Sequence, residues 1–196
     1  MKIVNLKKSR LFKYRFQIIF ENGICFSVNE NLVTKYNLKK NSNIDENILN
    51  EIKDNEFKYL KKYSEKYFKR YNSSKENFKR KLFLKKFSPE NIDKTIKYLE
   101  NINLINDSIY AHNYVISMVN RLKYSRFGLE YKLFQKKISR DLITKYLDIY
   151  YTEDIERETI NKLIDKLKNR YKDTRKLKQY LLNKKFNYSI VSELVI

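Results

Sequence analysis

Glycine occurs only twice in this chain, at Gly23 and Gly128. That excludes Gly-rich phosphate loops of the dinucleotide and Walker types, which need several glycines to bring backbone N–H groups close to phosphate. There is one cysteine, Cys25, and one histidine, His112. Cys/His zinc sites, disulfide scaffolds and paired-histidine metalloprotease motifs are therefore excluded. No stretch approaches the roughly 20 apolar residues that cross a bilayer. The N-terminus interleaves Lys7, Lys8, Arg10, Lys13 and Arg15 with apolar residues, so no signal core is visible. A lone cysteine suits a reducing interior, and the cytoplasm is the expected compartment.

What is present is charge of one sign. The 196 residues carry 43 Lys and Arg against 23 Asp and Glu, a formal charge of +20. An AT-rich coding bias would enrich Lys, Asn, Ile and Tyr, but it would enrich Glu as well. Such a surplus repels itself in the folded state and attracts polyanions. Nucleic acid, or a protein already coated on nucleic acid, is the expected partner; an anionic membrane surface is the weaker rival. With 42% apolar residues the chain can build a packed core, enough for one large domain or two small ones.

The first fifty residues read differently from the rest. Lys13 to Phe20 and Ile24 to Val28 are rich in aromatic and β-branched residues, and Glu21-Asn22-Gly23 separates them. Asn-Gly is the strongest short hairpin signal, because both positions accept positive φ. Ile3 to Leu6 supplies a third strand, and a short helix follows near Asn31 to Tyr36. We read residues 1–45 as a β-hairpin subdomain.

From residue 46 the chain is helical and repeats itself. The segments beginning at Ser74, Ser125 and Asp173 align at offsets of 51 and 48 residues. They superpose Phe78/Leu129/Leu177, Leu82/Leu133/Leu181 and Phe83/Phe134/Leu182. The preceding helices carry the stripes Leu60-Tyr63-Ser64-Tyr67-Tyr71, Ala111-Tyr114-Val115-Met118-Leu122 and Ile160-Leu163-Ile164-Leu167-Tyr171. All three have the spacing of one helix face. A period near fifty residues with three helices per unit predicts a mainly α, elongated array of tandem three-helix repeats over 46–104, 105–152 and 153–196. Ser74, Ser88, Ser125, Ser139 and Asp173 stand where N-caps are needed, with Pro89 at a first helical position.

Leu104-Ile105-Asn106-Asp107-Ser108-Ile109-Tyr110-Ala111 resembles the Leu-x-Asp-Asp-x-x-Phe-Ala signature of the RecX regulatory family, on Leu104, Asp107, Tyr110 and Ala111. The segments ending Leu82…Lys85-Lys86-Phe87 and Leu133…Lys136-Lys137-Ile138 resemble that family's Leu-x-x-Lys-Gly-(Ile/Tyr) repeats. The resemblance covers essentially the whole chain. Departures are clear: Lys86, Lys137 and Lys185 replace the family glycine that closes each middle helix, a place that often requires positive φ. Asn106 replaces the first Asp, and Ser125-Arg126 replaces a Gly-Pro.

The resemblance implies a non-enzymatic modulator of the RecA recombinase. Such a protein lies along the recombinase–DNA filament, where it limits filament growth, ATP hydrolysis and strand exchange in DNA repair. It needs no cofactor and no metal. The implied partners are the filament and single-stranded DNA, with double-stranded DNA as a wider possibility. A monomer is expected.

The candidate contact residues form a basic stripe repeated in each unit. They are Lys79, Arg80, Lys85 and Lys86; then Arg121, Lys123, Arg126, Lys132, Lys136, Lys137 and Arg140; then Lys176, Lys184 and Lys185. Part of this stripe is accounted for by Lys in last helical turns, where it complements the helix dipole. The alternative function is a general basic nucleic-acid binder without a recombinase partner. A metal-dependent nuclease would need the cluster Glu153, Asp154, Glu156 and Glu158, but the first turn of a helix explains these acids more simply. Asp107 is read as the cap of a helix beginning at Ser108, His112 as a surface or boundary residue without partners, and Cys25 as a packing residue.

Overall fold

The computed structural model describes residues 1–195. Three antiparallel strands form a sheet in the order β1 (Ile3–Lys8), β2 (Arg15–Phe20), β3 (Cys25–Asn29). Ile18 lies opposite Leu6 on one side and Phe26 on the other. The face carrying Ile3, Ile18, Phe20, Phe26 and Val28 is buried. It is covered by Leu32 of α1 (Glu30–Lys35) and by Ile48, Leu49 and Ile52 of α2 (Glu46–Phe68).

The β2–β3 turn falls where Glu21-Asn22-Gly23 predicts it. Only Gly23 has positive φ, at 78°. Gly23 N–H donates to the Phe20 carbonyl, and the Asn22 side chain accepts from Ile24 N–H. The connection is thus a four-residue loop whose left-handed position falls on glycine.

The chain packs as two units, Met1–Asn106 and Asp107 onward. In the first, α2, α3 (Lys75–Leu84) and α4 (Pro89–Asn101) surround Leu60, Phe78, Leu82, Phe87, Ile92, Ile96 and Leu99. The second holds two helix trios. Helices α5 (Asp107–Val119), α6 (Arg126–Gln135) and α7 (Arg140–Tyr150) enclose Ala111, Val115, Leu129, Leu133, Ile143 and Leu147. Helices α8 (Glu153–Leu167), α9 (Thr174–Asn183) and α10 (Tyr188–Leu194) enclose Ile160, Leu177, Leu181, Ile190 and Val191. Of the aligned apolar positions, Phe78/Leu129/Leu177 and Leu82/Leu133/Leu181 lie in the three cores, whereas Phe83 and Phe134 are exposed.

Each middle helix ends the same way. Lys86, Lys137 and Lys185 have φ of 63°, 60° and 64°. Their N–H groups donate to the carbonyls of Phe83, Phe134 and Leu182, while the next residues, Phe87, Ile138 and Phe186, donate to Leu82, Leu133 and Leu181. This is the Schellman pattern, completed by an apolar contact between its two ends. The left-handed position usually held by glycine is here held by lysine three times.

Recurring polar contacts join the first and third helices. Glu56 of α2 is fully buried, and its carboxylate accepts from Ser88 N–H at 3.2 Å, from the Ser88 hydroxyl, and from Asn91 Nδ2 at 2.9 Å. Glu156 of α8 accepts from Asn187 N–H at 3.0 Å. Asp107 occupies the same repeat position. It is the first residue of α5, so the predicted cap lies one residue inside the helix, in the turn where the dipole favours an acid.

The sheet is fastened to α2 and α4 by the same carboxylate. Glu56 Oε1 accepts from Ser27 N–H of β3 at 2.6 Å. Ser27 in turn accepts from the buried Arg15 guanidinium, at 2.9 Å through its hydroxyl and again through its carbonyl. Arg15 lies 3.9 Å from the centre of the Tyr59 ring. Burial pushes its pKa down to about 10, which leaves it charged at neutral pH, and pushes the Glu56 carboxyl up. Phe12, in the β1–β2 loop, sits among Tyr59, Tyr63 and Phe87. The hairpin thus caps the first trio.

Candidate nucleic-acid interface

The expected basic stripe divides by what its members already touch. Lys79 pairs with Asp93 at 2.7 Å and Arg126 pairs with Asp148, so both are engaged within the fold. Lys85 lies 5.2 Å from the Phe12 ring and Lys132 lies 4.6 Å from the Tyr124 ring. Lys136 is half-buried. Arg80, Lys86, Lys137, Arg140, Lys176 and Lys185 are exposed.

Arg121, Lys123 and Lys184 meet around one concave pocket of about 360 Å³ in the second unit. Three cations absent from the expected stripe join them there: Lys162, Lys166 and Arg170. No acidic residue lines the pocket, and none of the six cations forms an ion pair among the described residues. Its apolar lining comes from Leu122, Leu163 and Leu167, with Tyr124 and Tyr180 beside them.

Local backbone geometry builds this pocket. Leu122, at φ 48°, turns the chain out of α5 and sets Arg121 and Lys123 on the rim. The Ser125 hydroxyl caps α6 and also donates to the Lys184 carbonyl at 2.6 Å, tying the end of α9 to that corner. Lys162 Nζ lies 3.5 Å from the Arg121 carbonyl. Lys162, Lys166 and Arg170 recur every four residues. That row was the available signal, and it was masked by the apolar stripe and acidic first turn of the same helix.

A second acid-free groove of about 400 Å³ lies in the first unit, where Lys7, Lys8 and Arg10 of the β1 end face Lys86. The α6 surface is different: Phe127, Tyr131 and Phe134 are exposed around a hollow of about 170 Å³, with Glu130 and Arg140 at its edge. The equivalent hollow of the first trio is lined by Glu76, Arg80 and Phe83, together with the Lys79–Asp93 pair.

Other singled-out residues have structural partners. His112 is half-buried and not free, since its Nε2 lies 2.8 Å from the Tyr150 hydroxyl and its ring packs on Tyr146 and Tyr150. Sequence reasoning missed this because the contact spans 38 residues. The Tyr151 hydroxyl donates to the Tyr124 carbonyl, and burial raises its pKa. Glu153 accepts from Arg157 at 3.0 Å, and Arg157 also holds Glu193 at 2.8 Å and 2.9 Å. Burial pushes the Cys25 thiol up to about 11, which makes it a poor nucleophile. In the signature segment, Tyr110 and Ala111 are buried and Leu104 is exposed. No described helix is long and apolar enough to cross a membrane.

This architecture has named counterparts. A crystal structure of a regulatory protein RecX superposes with a TM-score of 0.67 and 26% identity, covering 97% of both chains. The regulatory protein RecX of Clostridium perfringens strain 13 is 28% identical across 99% of this chain and 94% of its own length. The chain is similar to RecX regulatory proteins over almost its whole length. The RecX crystal structure from Lactobacillus salivarius has a TM-score of 0.63 and 28% identity, covering 71% of this chain and 94% of that one. No family model matches the chain. RecX relatives carry the name of regulatory proteins rather than of enzymes.

Proposed function

We propose that this chain is a RecX-type regulator of a RecA-type recombinase, that it binds the recombinase filament on single-stranded DNA, and that it inhibits filament growth, ATP hydrolysis and strand exchange. The near full-length likeness to RecX regulatory proteins carries this reading. It is supported by the +20 charge and by acid-free basic grooves in both units, which suit a polyanionic lattice. The mechanism is contact without chemistry: the protein occupies filament surface, and the basic residues hold it there. Self-association is disfavoured by the same charge, so the acting species is a monomer, working in the cytoplasm.

The test is the single-stranded-DNA-dependent ATP hydrolysis of the cognate recombinase, titrated with this protein with and without excess DNA. Inhibition at far fewer copies than recombinase subunits, unrelieved by added DNA, is expected. No effect, or inhibition abolished by extra DNA, would favour the second reading, a general nucleic-acid binder. That reading draws on one observation: the six-cation pocket needs no protein to attract a polyanion.

A further inference from the structure

We propose that the second unit's pocket seats one nucleotide of a single strand, with flanking phosphates on its cations and the base against Tyr124 and Tyr180. This rests on the nucleic-acid contact of the function proposed above, but it does not require the recombinase.

Charge comes first. Arg121, Lys123, Lys162, Lys166, Arg170 and Lys184 surround one cavity with no carboxylate among the described residues of its lining. Elsewhere the fold compensates cations readily: Lys35 with Glu51, Lys53 with Glu90, Lys75 with Glu100 and Lys79 with Asp93. Six uncompensated like charges repel one another, and a bound polyanion removes that repulsion.

Shape and lining then select among polyanions. At about 360 Å³ the cavity falls at the small end of sites that enclose a small ligand. A duplex presents its phosphates on a convex rod with its bases paired inside, so it cannot fill a concavity. A bare phosphate has no use for a lining of Leu122, Leu163, Leu167 and two tyrosines. An unpaired nucleotide uses both features, because its base has an apolar face that stacks on aromatic rings and its neighbouring phosphates meet the cations. The two kinds of group are adjacent here: Lys123 lies 5.7 Å from the Tyr124 ring centre and Lys184 lies 5.6 Å from that of Tyr180.

The experiment uses the full chain and labelled thymidine 20-mers, single-stranded and duplex, with anisotropy read over a salt series. The pocket variants are Lys162→Glu with Lys166→Glu, and the gentler Lys162→Gln with Lys166→Gln. Lys39→Glu with Lys40→Glu, on exposed residues of the first unit, makes the same charge change on residues that do not line the pocket. Circular dichroism melts check folding. The expected result is a loss of about tenfold or more in single-strand affinity for the pocket pair and under about threefold for the control. The salt slope should fall by about 1.4 in the Gln pair, two contacts at about 0.7 each. Tyr180→Leu should weaken single-strand binding by about fivefold or more, leaving duplex binding unchanged.

Equal losses in pocket and control variants would overturn the proposal, leaving only a diffuse field. So would pocket variants that lose binding to anionic phosphatidylserine vesicles but keep DNA. Recombinase inhibition is scored separately. If the pocket pair loses bare-DNA binding yet still inhibits, the pocket stands and the regulatory contact lies elsewhere. If DNA binding is unchanged, the pocket fails whatever the inhibition shows.

Discussion

Replacing Lys86, Lys137 and Lys185 by glycine should stabilise this protein. A residue with a Cβ held in the left-handed region costs about 1–2 kcal/mol. Glycine avoids that cost but gives up about 0.5–1 kcal/mol through its freer unfolded chain. The net gain is about 0.5–1 kcal/mol per site. The three sites close three different helices against separate cores, so their effects should add. The triple variant gains about 1.5–3 kcal/mol, or about 3–12 °C in Tm at the usual slope for a chain of this size. If the two units melt separately, the first gains from one site and the second from two. Urea and thermal denaturation followed by circular dichroism read this directly. The needed control is lysine to alanine, which removes the charge but keeps the Cβ. In a chain of +20, loss of a cation could stabilise by itself. Alanine variants as stable as glycine variants would refute the backbone explanation, and glycine variants less stable than the parent would refute it outright.

Other perturbations follow from single contacts. Ser64 is buried with no partner for its hydroxyl among the described residues, at the stripe position held by Val115 and Ile164 in the other trios, so Ser64→Ala should raise stability by up to about 1 kcal/mol in urea titrations. Glu56→Ala strands the donors of Ser27, Ser88 and Asn91 and leaves Arg15 without its nearby acid, and it should cost about 3–5 kcal/mol. Burial raises the Glu56 pKa, so between the ordinary glutamate range and that raised value the native state holds a proton the unfolded chain has lost. Stability should therefore fall as pH rises from about 4.3 through that window, and the slope should be missing in Glu56→Gln. Gly23→Ala should cost about 1 kcal/mol, because φ is +78° with open space around the new methyl, whereas Gly128→Ala, inside α6, should gain up to about 1 kcal/mol; thermal melts distinguish the signs.

The repeat was legible because each trio must bury the same face, and burial imposes a period that composition cannot imitate. Phe78, Leu129 and Leu177 could be aligned on spacing alone, and all three are core residues. The lysines at the helix ends were legible as departures from a glycine pattern, and their backbone angles fall in the left-handed region. The β2–β3 turn was legible in place, though Asn-Gly marks a turn without fixing which of its residues carries positive φ. The Arg15–Ser27–Glu56 network was invisible, because a single Arg and Glu 41 positions apart show no pattern until β3 and α4 are brought to α2. The six-cation pocket was half legible. Arg121, Lys123 and Lys184 were in the stripe, but Lys162, Lys166 and Arg170 join them only when α8 packs beside the α5–α6 corner.

Helix α2 serves two cores along one rod. Its first turns place Ile48, Leu49 and Ile52 under the sheet, while its later turns place Tyr59, Leu60, Tyr63, Tyr67 and Phe68 in the first trio. Glu56 stands at the changeover. Opening either core therefore pulls on the helix that completes the other. Amide protons in β2 and β3 should exchange through the same subglobal opening as those of α3 and α4, as one cooperative block. The point where the first repeat begins in sequence is thus no place to divide the molecule: a chain begun at residue 46 would carry Ile48, Leu49 and Ile52 into water on a bare helix face.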